Sequence, residues 1–153
     1  MAVILHLLLS LLLVAGLADN VTIAIIGTND IHGAAFPAQL VRSDNMSQQY
    51  LYGGLQYMGR LIQIIQSEYQ GNVLYLDAGD QFQGGIESSK LVSSGKIMND
   101  FYDAVDLNAS AIGNHEFDFG PNFLLPFMSS KQAPSLAANI RSEKGQDVFL
   151  PNQ

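Results

Sequence analysis

The 153-residue chain has no cysteine, which rules out a disulfide framework and any thiolate metal site. Basic residues are few: seven Lys and Arg against fourteen Asp and Glu, for a formal net charge of −7. That balance disfavours a long polyanion such as duplex DNA or RNA as partner. A small phosphate ester stays compatible with it, because bound divalent cations reverse the local field. Charged residues make up only 14% and hydrophobic residues 48%, which argues against disorder and suffices for a buried core. The chain holds neither an internal repeat nor a low-complexity linker, and its length suits one domain. Histidine is scarce too: His6, His32 and His115 are all there are.

The amino-terminal stretch reads as an address. Ala2 to Ala18 is apolar apart from His6 and Ser10, and Gly16 and Ala18 precede the polar pair Asp19-Asn20. This is the pattern of a secretory signal over 1–18, cleaved after Ala18, with 19–153 as the mature chain. No Lys or Arg precedes the run, so the positive end is the amino terminus alone. The rival is an uncleaved anchor, for which the run is at the short limit of the roughly 17–25 residues a spanning helix needs. Sequons at Asn20, Asn45 and Asn108 fit a secreted or cell-surface glycoprotein, although Asn108 opens an expected strand.

Past the leader, strand and helix patterns alternate. Val21 to Gly27 is β-rich and apolar on both faces, the pattern of a buried strand. Phe36 to Tyr52, with Pro37, Ser43, Asp44 and Asn45, reads as a loop with little order. Leu55, Met58, Ile62, Ile65 and Tyr69 recur at helical spacing, and Gly71 stops that helix. Further strands are expected at Asn72–Leu76, Ala109–Ile112 and Ser135–Ile140, and helices at Ile97–Val105 and Pro121–Met128. Gly84-Gly85 and Ser94-Gly95 mark turns. The expected fold class is α/β, with a largely parallel sheet and its ligand site outside the carboxyl ends of the strands.

Three strand-like runs end in residues able to bind metal. They are Thr28-Asn29-Asp30-Ile31-His32-Gly33, Asp77-Ala78-Gly79-Asp80 and Gly113-Asn114-His115-Glu116. Carboxylate, amide and imidazole donors on rigid strand ends suit divalent cations engaged in phosphate hydrolysis. Each segment alone has a plainer reading. Asn29-Asp30 and Asp77 to Asp80 make ordinary turns, His115 a surface histidine, Glu116 a solvated charge, and Asp118 an N-cap for the next helix. Those readings must all hold at three successive strand ends, with a His-x-x-Asp pair besides. Gly27, Gly79 and Gly113 are expected to let the backbone turn sharply, and Gly33 to let it approach a ligand.

The longer blocks Thr28 to Gly33, Asp77 to Gly84 and Gly113 to Gly120, with Ala137-Ala138-Asn139-Ile140, resemble the signature segments of the 5′-nucleotidase family. That family lies among the calcineurin-like metallophosphoesterases, and the resemblance covers nearly all of the mature chain. It implies an α/β sandwich, of which this chain is the front part. It implies two divalent ions (Zn, Mn, Mg or Co), with Asp30 and His32 on one, Asp80 bridging both and Asn114 on the other. His115 would stabilise the phosphoryl transition state and Asp118 would orient its imidazole. The implied substrates are extracellular nucleotides or related phosphate esters, hydrolysed in the manner of a 5′-nucleotidase, apyrase or UDP-sugar hydrolase.

The four candidate ligands are too few for two cations, each of which takes four to six. In the family the others are histidines from later strands, and a second domain stacks the base. The chain is therefore expected to be the amino-terminal part of a catalytic domain, inactive by itself. The competing expectation is a non-catalytic secreted product that keeps half a metal site and binds metal or nucleotide weakly.

Overall fold

The computed structural model describes residues 20–41, 49–82 and 95–141. The leader, the sequon at Asn45, Gly84-Gly85 and Ser94 lie outside these residues. The element order is β1 (Ala24–Thr28), β2 (Ala38–Val41), β3 (Gln49–Tyr52), α1 (Leu55–Glu68), β4 (Val73–Asp77), α2 (Lys96–Ala104), β5 (Ala109–Ala111), a 3-10 turn (His115–Phe117), α3 (Pro121–Ser129) and β6 (Ser135–Leu136).

Strands β1, β4, β5 and β6 form one sheet in that spatial order, every pair parallel. Parallel neighbours need a crossover, and α1, α2 and α3 supply one at each step. All four strands therefore point their carboxyl ends to the same edge. The apolar stripe of α1 buries Leu55 and Ile62. The helix closes where Gln70 and Gly71 turn left-handed, with Gly71 donating to the Gln66 carbonyl at 2.9 Å. Helix α2 buries Met98 and Tyr102, and α3 starts with Pro121, whose fixed φ suits a first helical position. Tyr75, Tyr102, Met98, Ile62 and Phe127 make the centre of the core.

Several expectations are corrected. The stretch from Phe36 to Tyr52 is not all loop: β2 and β3 pair antiparallel, Ala38 opposite Tyr52 through Val41 opposite Gln49. The β-favouring residues of the two arms outweigh the turn-forming residues between them. The first strand starts at Ala24 and is not buried on both faces, since Ile25 is 72% exposed. Leu74, Leu76 and Leu136 are exposed on the sheet as well, whereas the alternate residues Tyr75, Asp77, Ser110 and Ser135 are buried. Strand β6 is only two residues long, so Ala137 to Ile140 continue without strand structure. Gly27 makes no turn: it lies within β1, and a Cβ there would meet nothing within 4 Å.

Candidate metal centre

The turn after β1 goes on pairing with the turn after β4 where the sheet proper has ended. Asp30 N–H donates to the Gly79 carbonyl, His32 N–H to that of Asp80 and Gly33 N–H to that of Gln81, each at 3.0 Å. This rail brings Asp30 and His32 beside Asp80. All three have left-handed backbones, with φ of 52°, 50° and 55°. Such angles are uncommon for residues other than glycine and cluster where a site demands a particular side-chain direction.

The turn after β5 closes on Asp80 from the other side. A Cβ on Gly79 would stand 2.5 Å from the Gly113 nitrogen, and one on Gly113 would stand 2.3 Å from Asp80 Oδ1. Only glycine at both positions lets the backbones come this close. Asp80 Oδ1 then accepts the His115 N–H at 2.9 Å.

The resulting cluster is compact. One donor atom each from His32, Asp80 and His115 lies within 4.8 Å of the others. Asp30 Oδ1 stands 3.5 Å from His32 Nε2. The His32 and His115 rings meet edge to face, 5.1 Å between centroids. Asp118 Oδ2 sits 2.7 Å from His115 Nδ1. The structure thus gathers Asp30, His32, Asp80, His115 and Asp118, with the exposed Asn114 leading into the 3-10 turn immediately before His115. Asp118 does not N-cap α3, since Gly120 holds that position; it closes the 3-10 turn, its N–H donating to the His115 carbonyl.

Local electrostatics suit a cation beside Asp30 and an anion beside His115. The bond from Asn29 and the nearby His32 hold the Asp30 carboxyl below its ordinary value, so it stays ionised. The hydrogen bond and charge of Asp118 raise the His115 imidazole above its ordinary value, favouring the protonated form. The Asp80 carboxylate and the His32 imidazole, with donor atoms within 4.8 Å of each other, suit a divalent metal ion.

Sequence reading missed the support beneath this cluster. Glu116 is not a solvated charge: it is 2% exposed, and its carboxylate accepts the N–H groups of Asp80, Gln81 and Gly113. Asp77 is buried too, accepting from the Thr28 hydroxyl at 2.6 Å, Gly79 N–H at 3.0 Å and Gln81 Nε2 at 3.1 Å. Lys131, also buried, donates to Ser110 Oγ at 2.6 Å and Gln81 Oε1 at 3.3 Å. Burial pushes its ammonium down to about 8, against the pull of Asp77, Glu116 and Asp103. The one available signal was adjacency: Glu116 follows His115, and Gln81 follows Asp80. Of the sequons, Asn20 is exposed, while Asn108 is exposed with its Oδ1 engaged by Tyr75 N–H at 2.7 Å.

The model of the calcineurin-like phosphoesterase family matches residues 23–150. The chain belongs to that family. Among its relatives, a snake venom 5′-nucleotidase from Naja atra is 38% identical over 120 residues, 78% of this chain and 22% of the relative. The 5′-nucleotidase of Mus musculus is 34% identical over 137 residues, 86% of this chain and 23% of the relative. The crystal structure of a 5′-nucleotidase precursor from Thermus thermophilus superposes with a TM-score of 0.63 at 30% identity. It aligns with 76% of this chain and 22% of its own. The chain thus spans under a quarter of the length of these relatives. As a calcineurin-like phosphoesterase, it has a family reason for divalent-metal donors at the carboxyl edge of its sheet. Among the described residues no helix is long and apolar enough to cross a membrane.

Proposed function

We propose that the protein is the site-bearing part of a metal-dependent phosphohydrolase of nucleotides, of the 5′-nucleotidase type, acting outside the cell. The observation that carries this is the convergence of His32, Asp80 and His115, with Asp118 on the far nitrogen of His115. Asp30 and His32 would hold one divalent cation, Asp80 would be shared, and Asn114 would serve a second. When bound, such ions polarise the phosphoryl oxygens and lower the pKa of water for in-line attack. His115, kept protonated by Asp118, places a positive N–H toward the oxygens on which negative charge grows. The left-handed backbone at Asp80 and the rail beside β1 keep these side chains on one edge.

A small nucleotide or related phosphate ester suits the net charge of −7 better than a nucleic-acid polymer. The apolar leader at 1–18 and the sequons at Asn20, Asn45 and Asn108 support secretion or display at the cell surface. Phosphate release from AMP, ADP and a UDP-sugar under Mn²⁺, Zn²⁺ or Mg²⁺ tests the reading. It is measured on residues 19–153 joined to the rest of a 5′-nucleotidase relative. Metal-dependent release, abolished by chelation, is expected; a chimera that binds metal yet releases no phosphate contradicts it.

The ligand count supports a second reading for these residues by themselves. Asp30, His32, Asp80 and Asn114 do not complete two coordination shells, so 19–153 alone would bind at most one cation weakly and turn over little.

A further inference from the structure

Glu116 accepts three backbone hydrogen bonds beneath the cluster and faces away from solvent. Oε2 accepts the Asp80 N–H at 2.9 Å and the Gly113 N–H at 2.6 Å, while Oε1 accepts the Gln81 N–H at 2.7 Å. The donors come from two different turns, those after β4 and β5. A single carboxylate thus ties together the backbones that carry Asp80 on one side and Asn114-His115 on the other. At 2% exposure it is shut off from solvent.

We infer that Glu116 is a positioning residue, whose three charge-assisted bonds fix the angle at which Asp80 faces a bound cation and His115 faces the phosphoryl oxygens. This rests on the functional reading above. The physical case is one of supply and demand among hydrogen bonds. Three N–H groups converge on the same point, and an N–H left unmatched in a buried place costs free energy. A neutral amide cannot serve them all, because its NH₂ end would set a donor against donors. An anion with two oxygens accepts all three and draws the turns together, since bonds to a charged acceptor are shorter and stronger. Asp80 completes the clasp in the opposite sense: its backbone gives to Glu116 while its Oδ1 receives the His115 N–H. Moving Glu116 would rotate Asp80 and displace His115 together.

Mn²⁺ titration of the full chain, followed by electron paramagnetic resonance, tests the inference in wild type, Glu116→Gln and Met98→Ala. Met98 is buried in the core in the first turn of α2 and serves as a destabilised control. Glu116→Gln is expected to weaken Mn²⁺ binding by about 10–100-fold, the usual effect of losing an outer partner of a ligand. Met98→Ala should bind as wild type does at a temperature where it is folded. Equal binding in wild type and Glu116→Gln, or an equal loss in Met98→Ala, overturns the inference. Wild type that takes up no Mn²⁺ overturns the functional reading itself and so stands apart. A second measurement needs no variant: in metal-free wild type the Asp80, Gln81 and Gly113 amide protons should resonate downfield and exchange slowly. Amides exchanging like those of an open turn would overturn the inference even if Glu116→Gln failed to fold.

Discussion

The turn after β1 and the clasp between the turns after β4 and β5 both bear candidate metal ligands, yet they are held differently. The β1 turn is held by its backbone, through three N–H groups bonded to carbonyls of the neighbouring turn. Its Asp30 carboxylate is left largely open, at 56% exposure. The clasp is held by buried side chains, Glu116 and Asp77, around two glycines in near contact. The difference teaches a division of labour. The candidate ligands stand nearer the surface, and the charged groups bonded to their turns are buried one layer below.

The largest effect should come from Asp80→Ala in the chimera, because Asp80 is both the proposed shared ligand and the acceptor for His115 N–H. Turnover and metal content should fall together, by more than for Asp30→Ala, whose β1 turn keeps its backbone rail. Metal analysis beside kinetics checks this, and equal losses from the two variants would erase the contrast between turn and clasp.

His115→Ala should lower turnover by about 10²–10³ while leaving metal content near normal, the size expected for a lost electrostatic stabiliser. Loss of metal instead would make His115 a ligand, as its place within 4.8 Å of His32 and Asp80 would also permit.

A backbone test of the clasp follows. Gly113→Ala puts a methyl 2.3 Å from Asp80 Oδ1 and should destabilise by about 1–3 kcal/mol in urea unfolding. Gly27→Ala, with nothing within 4 Å, should be neutral or stabilising by up to about 1 kcal/mol. Similar results for both would mean that the close approach is not needed.

A pH-dependent effect concerns Lys131. Its folded-state value of about 8 lies below the ordinary 10.5, so the unfolded chain binds more protons between those values. Its burial cost is therefore present below about 8 and is relieved as pH rises toward 10.5. Wild-type stability relative to Lys131→Met should increase across that window. A difference that stays flat from pH 7 to about 10 would contradict the assignment.

The same division decides what could be read from the sequence. Alternating apolar runs and glycine breaks gave the α/β order, and α1, α2 and α3 lie within a few residues of the periodic segments that announced them. Asp30, His32, Asp80 and His115 were legible because their residue types at strand ends point to metal chemistry whatever packs around them. Glu116 and Lys131 were not, because a charged residue in a sequence reads as solvated until its burial is known. The hairpin of β2 and β3 was hidden by turn-forming residues between its arms. The exposure of Ile25 was hidden because an apolar run does not reveal which face is covered.

The central claim is that these strand ends hold a divalent cation through Asp80 and its neighbours. Calorimetric Mn²⁺ titration of the full chain, in wild type and in Asp80→Ala, His32→Ala and Lys96→Ala, tests it most directly. Lys96 pairs with Asp100 on the exposed side of α2 and serves as the surface control. The account predicts saturable binding in wild type and Lys96→Ala, and loss of at least about tenfold in affinity in each of the other two. Mn²⁺ binding unchanged by Asp80→Ala and His32→Ala would contradict it.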